Sequence, residues 1–187
     1  MEPDGVLIER SAHGKPDAFA EVARRHEVAI HAYLARRAGR QTAADLLGEV
    51  LVRAFAARGG FDAGYEDARP WLYGIARNVL REHWRTSGGD VPAVPGVIGP
   101  DPGDGVDWDS IDDRLDSAGR AKALMPAVRA LPPAEREVLL LVAWEQLTPA
   151  EAARALGVPP GTARSRLHRA RATLRRLLSE HDSRVSG

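Results

Sequence analysis

The chain has 187 residues, enough for one ordinary domain or two small ones, and a formal net charge of zero. That zero is a cancellation, because residues 88–119 carry 1 basic and 8 acidic side chains whereas residues 120–187 carry 12 basic and 6 acidic ones. The absence of cysteine excludes disulfide bonds and thiolate zinc sites, but the charge sum does not exclude nucleic acid as a partner of the basic end.

The sequence lacks the usual signs of a membrane segment, a metal site or an enzyme active site. No apolar run reaches the length of a membrane span, and the N-terminus lacks a signal-peptide pattern. The six histidines do not have the paired spacing of a metal site, and no Ser/His/Asp arrangement stands out. We therefore expect a cytoplasmic protein that is not an enzyme, with no membrane insertion, catalytic residue, metal or cofactor.

The chain begins with a segment of mixed character. Residues 1–15 contain two glycines and predict a loose N-terminal tail that turns helical near residues 6–10. From Asp17 onwards, apolar residues recur at helical spacing, which predicts a helix that Gly39 interrupts.

The next predicted helix runs from Thr42 to the glycine pair at 59–60. Thr42 and Asp45 are of the types found at an N-cap and at the third helical position, so they predict the start of the helix. A wide apolar face follows, and the two glycines end the helix.

Aromatic residues are concentrated in the following loop and helix, residues 55–84, which contain six of the ten in the chain. Pro70 starts this helix, which we predict from Trp71 to about Thr86. Aromatic rings can stack on unpaired bases while arginines hold the backbone. We expect three rings near a loop or helix end to be exposed for such contacts: Phe61, Tyr65 and Trp84. We expect three others to lie in the core: Phe55, Trp71 and Tyr73.

Residues 88–117 are rich in Gly, Pro and Asp and have scarcely any hydrophobic periodicity, which predicts a flexible acidic linker. Only Val106, Trp108 and Ile111 could dock on another surface. The simplest interpretation is a solubilising tether, and the alternative is a segment that lies near a basic surface or mimics nucleic acid.

Helical spacing resumes after the linker, where Pro126 predicts a kink or a helix start, and continues over residues 134–145. Thr148 and Glu151 have the spacing of a capping box, and they predict a short helix that ends at Gly157.

Residues 158–178 predict a basic amphipathic helix. Its apolar residues recur at steps of four and three: Ala163, Leu167, Ala170, Leu174 and Leu177. Residues 161–176 contain six arginines and no acid. The like charges repel one another along the helix, and bound phosphates would relieve this repulsion. A short capped helix, a glycine turn and a basic helix together predict a helix-turn-helix whose second helix enters the major groove. The alternative is an exposed basic helix of an ordinary bundle.

No segment has a convincing strand pattern, so the residues predict an all-α fold. We expect two small helical domains joined by a flexible acidic linker, the second containing the helix-turn-helix. The predicted boundaries are an N-terminal tail at 1–15, a first domain at 16–87, the linker at 88–117, a second domain at 118–180 and a C-terminal tail at 181–187.

Three segments, in this order and spacing, resemble bacterial RNA polymerase sigma factors of the extracytoplasmic-function group. They are TAADLLGEVLVRAF, RPWLYGIARNVLREHWR and LPPAEREVLLLVAWEQLTPAEAARALGVPPGTARSRLHRARATLRRLL. The resemblance covers roughly three quarters of the chain. It implies that the first domain is like sigma region 2 and the second like sigma region 4. It also implies three partners, namely core RNA polymerase, promoter DNA and an anti-sigma factor.

The resemblance implies which residues contact core polymerase. The residues that would contact the clamp helices of the largest subunit are Asp45, Leu46, Glu49, Val50 and Arg53. For Leu46 and Val50, packing within the domain is an equal alternative. Gly48 stands where the family usually has Gln, which lowers helix propensity. The flap region of the polymerase is a further implied contact.

Two promoter elements have matching residues. The single-stranded minus-ten element would meet Phe61, Tyr65, Arg77, Asn78, Arg81 and Trp84. The duplex minus-thirty-five element would meet Arg164, Ser165, His168 and Arg169 at its bases, and Thr162 and Arg166 at its phosphates. The acidic side chains in the loop at 59–69 repel phosphate, so the sequence does not determine which base this loop selects.

Two other classes of function fit some of these features. A two-domain regulator could bind duplex DNA without polymerase, although it would not need the aromatic loop. A helical interaction module could instead place the basic helix against an acidic protein.

Overall fold

The computed structural model describes residues 1–86 and 118–185, with side chains described for 1–86 and 124–180. Within these ranges it has eight α-helices and no strand, and the chain divides into two compact units. The prediction of an all-α fold with two helical domains is confirmed. The predicted linker at 88–117, with Val106, Trp108 and Ile111, lies outside the described residues.

Four helices and one 3₁₀ turn form the first unit. They are α1 Asp4–Ala12, α2 Ala18–Ala38, α3 Arg40–Ala57, the turn Arg58–Gly60 and α4 Arg69–Thr86. Helix α2 packs against α1, α3 and α4, and α3 also packs against α4. Their apolar faces meet in one core, whose fully buried side chains include Ile8, Val22, Ile30, Leu34, Val50, Leu72, Val79 and Leu80.

The N-terminal segment is more ordered than the predicted tail. Residues 4–12 form helix α1, and both Leu7 and Ile8 are buried in the core of the first unit. This unit therefore begins well before residue 16. Three large apolar side chains in nine residues are too few to distinguish a docked helix from a tail that turns helical.

The start of α3 also differs from the prediction. Helix α3 begins at Arg40 with Gly39 as its N-cap residue, and no side chain caps it, so the assignment of Thr42 as N-cap is wrong. Gly39 has φ +85°, which favours glycine, and its N–H bonds to Ala35 O while its carbonyl accepts from Ala43 N–H. One glycine thus ends α2 and starts α3, which leaves no separate turn for Thr42 to cap.

Four helices form the second unit. They are α5 Ala118–Ala130, α6 Pro133–Ala143, α7 Pro149–Leu156 and α8 Pro160–Val185. Pro126 lies inside α5 and so does not mark its start. The backbone of α8 is helical as far as Val185, beyond the predicted beginning of a C-terminal tail at 181.

The predicted capping box at the start of α7 is confirmed. Glu151 N–H donates to Thr148 Oγ1 at 3.2 Å, and Thr148 N–H donates to Glu151 Oε2 at 2.7 Å. Gly157 follows α7 in the left-handed conformation at φ +65°, as the glycine turn required. These local contacts fix the direction in which α8 leaves the turn.

A buried arginine joins α6 to the end of α5. Arg136 donates from Nη1 to Arg129 O at 2.8 Å and to Leu131 O at 3.2 Å, so it satisfies carbonyls that the end of a helix leaves free. Burial lowers the pKa of Arg136, and the charge of Glu137 partly opposes this.

Candidate nucleic-acid interface

Helix α8 has one buried and one exposed side. Ala163, Leu167 and Ala170 are buried, Leu174 and Leu177 are half-buried, and the helix packs against α5, α6 and α7. The predicted apolar stripe therefore anchors α8 in the core of the second unit. Since the stripe occupies one side, the arginines are left on the other.

The side chains predicted to meet duplex DNA lie at this surface. The four exposed side chains are Arg164, Ser165, His168 and Arg169. The two half-buried side chains are Thr162 and Arg166. The Ser165 hydroxyl donates to Thr162 O at 3.0 Å, which leaves its oxygen lone pairs available as acceptors. Helix α7, the Gly157 turn and this face of α8 form the predicted helix-turn-helix.

Arg169 has an ion-pair partner from another helix. Its Nε donates to Glu135 Oε1 at 2.7 Å, with Glu135 at the start of α6. The Arg169 side chain is 56% exposed and that of Glu135 only 12%, so the carboxylate holds the base of a guanidinium whose outer edge faces solvent. The two residues are 34 positions apart, and no sequence pattern connects them.

The loop between the 3₁₀ turn and α4, residues 61–68, is called here the recognition loop. Its first residue, Phe61, packs edge-on against Trp71 with ring centroids 5.0 Å apart, and both rings are half-buried. Tyr65 is 43% exposed, whereas Trp84 is half-buried. The prediction of exposed rings therefore holds for Tyr65 and is corrected for Phe61 and Trp84.

The three rings expected in the core have different environments. Tyr73 is buried as expected, but Trp71 and Phe55 are half-buried. Phe55 packs against Phe19 at 5.5 Å and lies beneath the Arg58 guanidinium at 3.7 Å. The core prediction for Trp71 and Phe55 is corrected, because each ring covers the edge of the core instead of its centre.

Polar residues of α4 extend this surface. Asn78 and Arg81 are exposed, and Arg77 is half-buried. Residues 77, 78, 81 and 84 are separated by steps of one, three and three, so they share one side of the helix. The fold therefore places Asn78 on the same side of α4 as Arg77, Arg81 and Trp84, the other residues of this helix predicted to contact the minus-ten element.

The outer side of α3 differs from the predicted polymerase contact. Leu46 and Val50 are 4% and 0% exposed, so they pack within the unit and their assignment as partner contacts is corrected. Asp45 and Glu49 are exposed, and Arg53 is half-buried. Arg53 Nη2 donates to Glu49 and to Glu82 of α4, the latter at 2.6 Å. The hydrogen bond and the charge of Arg53 lower the pKa of Glu82.

A row of small and apolar residues lies exposed on α3 beside these charges. The row has a spacing of four residues and consists of Ala44, Gly48, Val52 and Ala56, here called the α3 row. Val52 is 69% exposed, and a Cβ at Gly48 would have no atom within 4 Å. The spacing is visible in the sequence, but the stronger stripe through Leu46 and Val50 conceals it.

Asp4 is a buried charged residue that no sequence pattern singles out. Its Oδ2 accepts from Ala68 N–H at 3.0 Å and lies 2.6 Å from His26 Nε2, and its Oδ1 accepts from Arg25 Nη1 at 2.9 Å. Burial raises the pKa of Asp4, but the hydrogen bonds from His26, Ala68 and Arg25 and the charge of His26 lower it more, to about 2. Asp4 is therefore ionised, and His26 Nε2–H donates to it.

Asp4, His26 and Asp67 form the group of potential metal ligands in the described part of the chain, with ligand atoms within 4.8 Å of one another. The spacing of the histidines does not reveal this group. Arginines already neutralise both carboxylates, since Arg69 Nε donates to Asp67 Oδ2 at 2.7 Å as Arg25 does to Asp4. The chemistry of this site favours a network of ion pairs over a cation site.

The Asp4 network predicts a dependence of stability on pH. Because the pKa of Asp4 is about 2 in the folded chain and 3.8 in the reference state, ionised Asp4 contributes about 2 kcal/mol to the free energy of unfolding. This contribution is complete above about pH 5 and is lost progressively as the pH falls through 3.8 towards 2. The difference in unfolding free energy between the native chain and Asp4→Asn should therefore shrink between pH 5 and pH 3. A constant difference, measured by urea unfolding, would contradict the network.

Comparison with known proteins agrees with this architecture. Residues 22–89 match sigma-70 region 2, and residues 121–174 match sigma-70 region 4. The RNA polymerase sigma-E factor of Streptomyces avermitilis is 34% identical over 177 residues, which cover 91% of this chain and 90% of that protein. The chain belongs to the sigma-70 family, in the extracytoplasmic-function group. Sigma factors of this family direct RNA polymerase to promoters, so the chain is a transcription initiation factor.

Two other similar proteins extend the comparison of this sigma factor. The ECF RNA polymerase sigma factor BldN of Streptomyces coelicolor is 33% identical over 175 residues, and the match spans 93% of this chain but 65% of that protein. A solved structure of the sigma factor RpoE with the anti-sigma factor NepR, from Bartonella quintana, has a TM-score of 0.59 and 25% identity. It covers 86% of this chain and 96% of the RpoE chain.

The family assignment locates the described surfaces within the sigma factor. The recognition loop and α4 lie in region 2, and the cationic face of α8 lies in region 4. Among the helices in residues 1–86 and 118–185, none is long and apolar enough to cross a bilayer.

Proposed function

We propose that this sigma factor uses three separate surfaces for the minus-thirty-five duplex, the minus-ten single strand and core polymerase. The observation that carries the proposal is the cationic face of α8, which is exposed because the opposite side of the helix is buried. Residues 161–176 contain six arginines and no acid, and phosphates would neutralise this surplus of charge.

The minus-thirty-five duplex is proposed to receive α8 in its major groove. Arg164 and Arg169 can each donate two hydrogen bonds to a guanine, and each such pair contributes about 1–3 kcal/mol of discrimination. Ser165 and His168 lie on the same exposed face and can contact base edges. Thr162 and Arg166, half-buried at the border of this face, are suited to phosphates, which fix the position of the helix without selecting bases.

The minus-ten single strand is proposed to lie along the recognition loop and α4. Stacking contributes about 1–3 kcal/mol per base, which offsets the few kcal/mol needed to take a base out of the duplex. Tyr65 offers an exposed ring for this role, and the half-buried Phe61 and Trp84 lie in the same loop and helix. Arg77 and Arg81 would hold the backbone, and Asn78 can both donate to and accept from a base.

Asn78→Ala tests the minus-ten assignment. Asn78 is exposed, so we expect the substitution to leave the fold and polymerase binding unchanged. Loss of one base contact should reduce open-complex formation by about tenfold, measured as permanganate reactivity of minus-ten thymines. An equal loss of polymerase binding would show that the residue has only a structural role.

Core polymerase is proposed to bind the outer side of α3. The α3 row offers small side chains that allow close approach of a partner helix, and Asp45 and Glu49 flank it with negative charge. Arg53 is tied to α4 by Glu82 and would position the helix as well as meet the partner. The resemblance to the family supports the clamp helices of the largest subunit as the partner of α3, and the flap region as a further contact.

An anti-sigma factor is a further proposed partner. The RpoE protein of Bartonella quintana was solved in complex with its anti-sigma factor NepR, and this chain is similar to RpoE in fold. Such an inhibitor would act by covering the surfaces used for polymerase. The proposed contacts with polymerase and promoter DNA also imply a cytoplasmic location.

A gel shift with and without core polymerase tests the proposed function. A labelled promoter fragment should be retained specifically when sigma factor and core enzyme are both present, and weakly with the sigma factor alone. Tight binding of the isolated chain to duplex promoter, with no contribution from core enzyme, would favour a two-domain regulator instead. Binding to an acidic protein without any retention of DNA would favour an interaction module.

A further inference from the structure

Two hydrogen bonds from backbone N–H groups to Asp62 shape the exposed part of the recognition loop. Tyr65 N–H donates to Asp62 O at 3.1 Å, and Gly64 N–H donates to Asp62 Oδ1 at 3.0 Å. Residues 62–66 are all exposed. Because these five residues are exposed, contacts with neighbouring elements are important for the conformation of the loop.

The N-terminal end of α1 supplies such support. Asp4 N–H donates to Glu66 O at 2.9 Å, and the Asp4 carboxylate accepts from Ala68 N–H at 3.0 Å. One residue thus binds the backbone of the recognition loop at two points. Arg25 and His26 of α2 hold the same carboxylate, so the loop is linked through Asp4 to two helices of the unit.

Gly5 brings α1 into direct contact with the loop. A Cβ at this position would lie 2.5 Å from both Ala63 O and Tyr65 O, which is closer than van der Waals contact allows. The absence of a side chain therefore lets the first turn of α1 pack directly against the backbone carbonyls of residues 63 and 65. Both contacts of α1 converge on the short segment that presents the Tyr65 ring.

We propose that Asp4 is a positioning residue for base selection, and that α1 sets the conformation in which the recognition loop receives a minus-ten base. The inference rests on the proposed function of the loop. Asp4 touches no base itself, because it is 5% exposed and its oxygens are engaged by α2 and the loop. It acts by holding the backbone that places Tyr65 and Phe61.

The test compares Asp4→Asn with Glu9→Gln, an exposed carboxylate on the same helix. Core polymerase with each variant is assayed by abortive transcription on promoters that carry each of the four bases at the minus-ten position with the strongest preference. We expect Asp4→Asn to reduce the preference for the best base by about tenfold, and Glu9→Gln to leave it unchanged. Binding to core polymerase should be retained in both, which separates positioning from general loss of structure.

Gly5→Ala provides a second variant that leaves the Asp4 carboxylate intact. The added methyl group must displace the carbonyls of residues 63 and 65, so the base preference should again fall. Hydrogen exchange at the Ala68 amide reports directly whether the loop has separated from Asp4.

Three results would overturn the proposal. The first is an unchanged base preference in Asp4→Asn when the Ala68 amide exchanges faster. The second is an equal loss of polymerase binding and base preference, which would make Asp4 merely structural. The third is unfolding of Asp4→Asn together with a native base preference in Gly5→Ala. If instead the native chain shows no minus-ten preference with core enzyme, the proposed function of the loop itself has failed.

Discussion

Val52→Glu is expected to weaken binding of this sigma factor to core RNA polymerase by about 30-fold, which corresponds to about 2 kcal/mol. Val52 is 69% exposed in the middle of the α3 row, so its side chain contributes little to the core. A glutamate at this position would bring an unpaired charge into a desolvated helix contact, next to the existing charges of Asp45 and Glu49. Titration of fluorescent core enzyme with each variant measures the change.

Val28→Glu is the matched control for this substitution. Val28 is 72% exposed on α2, so the two variants add the same charge at the same degree of exposure. The free energy of unfolding of the two variants should agree within about 0.5 kcal/mol, since substitutions at exposed positions away from helix caps and polar networks are nearly neutral. If Val28→Glu weakens polymerase binding as much as Val52→Glu does, the contact is not specific to α3.

Arg169→Ala is expected to lower affinity for the minus-thirty-five element by about 1–3 kcal/mol, or roughly 5- to 150-fold, and to relax selection at one base pair. The guanidinium is held at Nε by Glu135, which leaves the outer edge to face a groove. A held guanidinium loses less conformational entropy on binding than a free one. Competition binding of holoenzyme to promoters with each base at every minus-thirty-five position measures both effects.

Arg171→Ala is the control for a charge effect alone, because Arg171 is exposed on the same helix and has no assigned base. It should weaken all sequences equally and reduce the dependence on salt. Arg169→Ala removes the ion-pair partner of Glu135 next to the proposed DNA surface, so Glu135→Gln/Arg169→Ala separates repulsion by this carboxylate from the lost base contact. A uniform loss over all sequences in the double variant would make Arg169 a phosphate contact.

Much of the second unit could be predicted because its determinants are local. Thr148 and Glu151 are three residues apart, Gly157 needs only its own backbone freedom, and the stripe of α8 repeats every three or four residues. Because this stripe predicts the buried side of α8, it also predicts that the arginines lie on the exposed side. The first unit was less predictable, since Gly39 replaced the expected cap and α1 replaced the expected tail.

The sequence alone therefore determined the helices of the second unit, the helix-turn-helix and the cationic face, because interactions within one or two helical turns specify them. Only the tertiary structure decided which of the matched residues are free to bind. It buried Leu46 and Val50, paired Arg169 with Glu135, and joined Asp4 to Ala68 across 64 positions. Such pairs have no periodicity, because chain folding and the burial of charge bring them together.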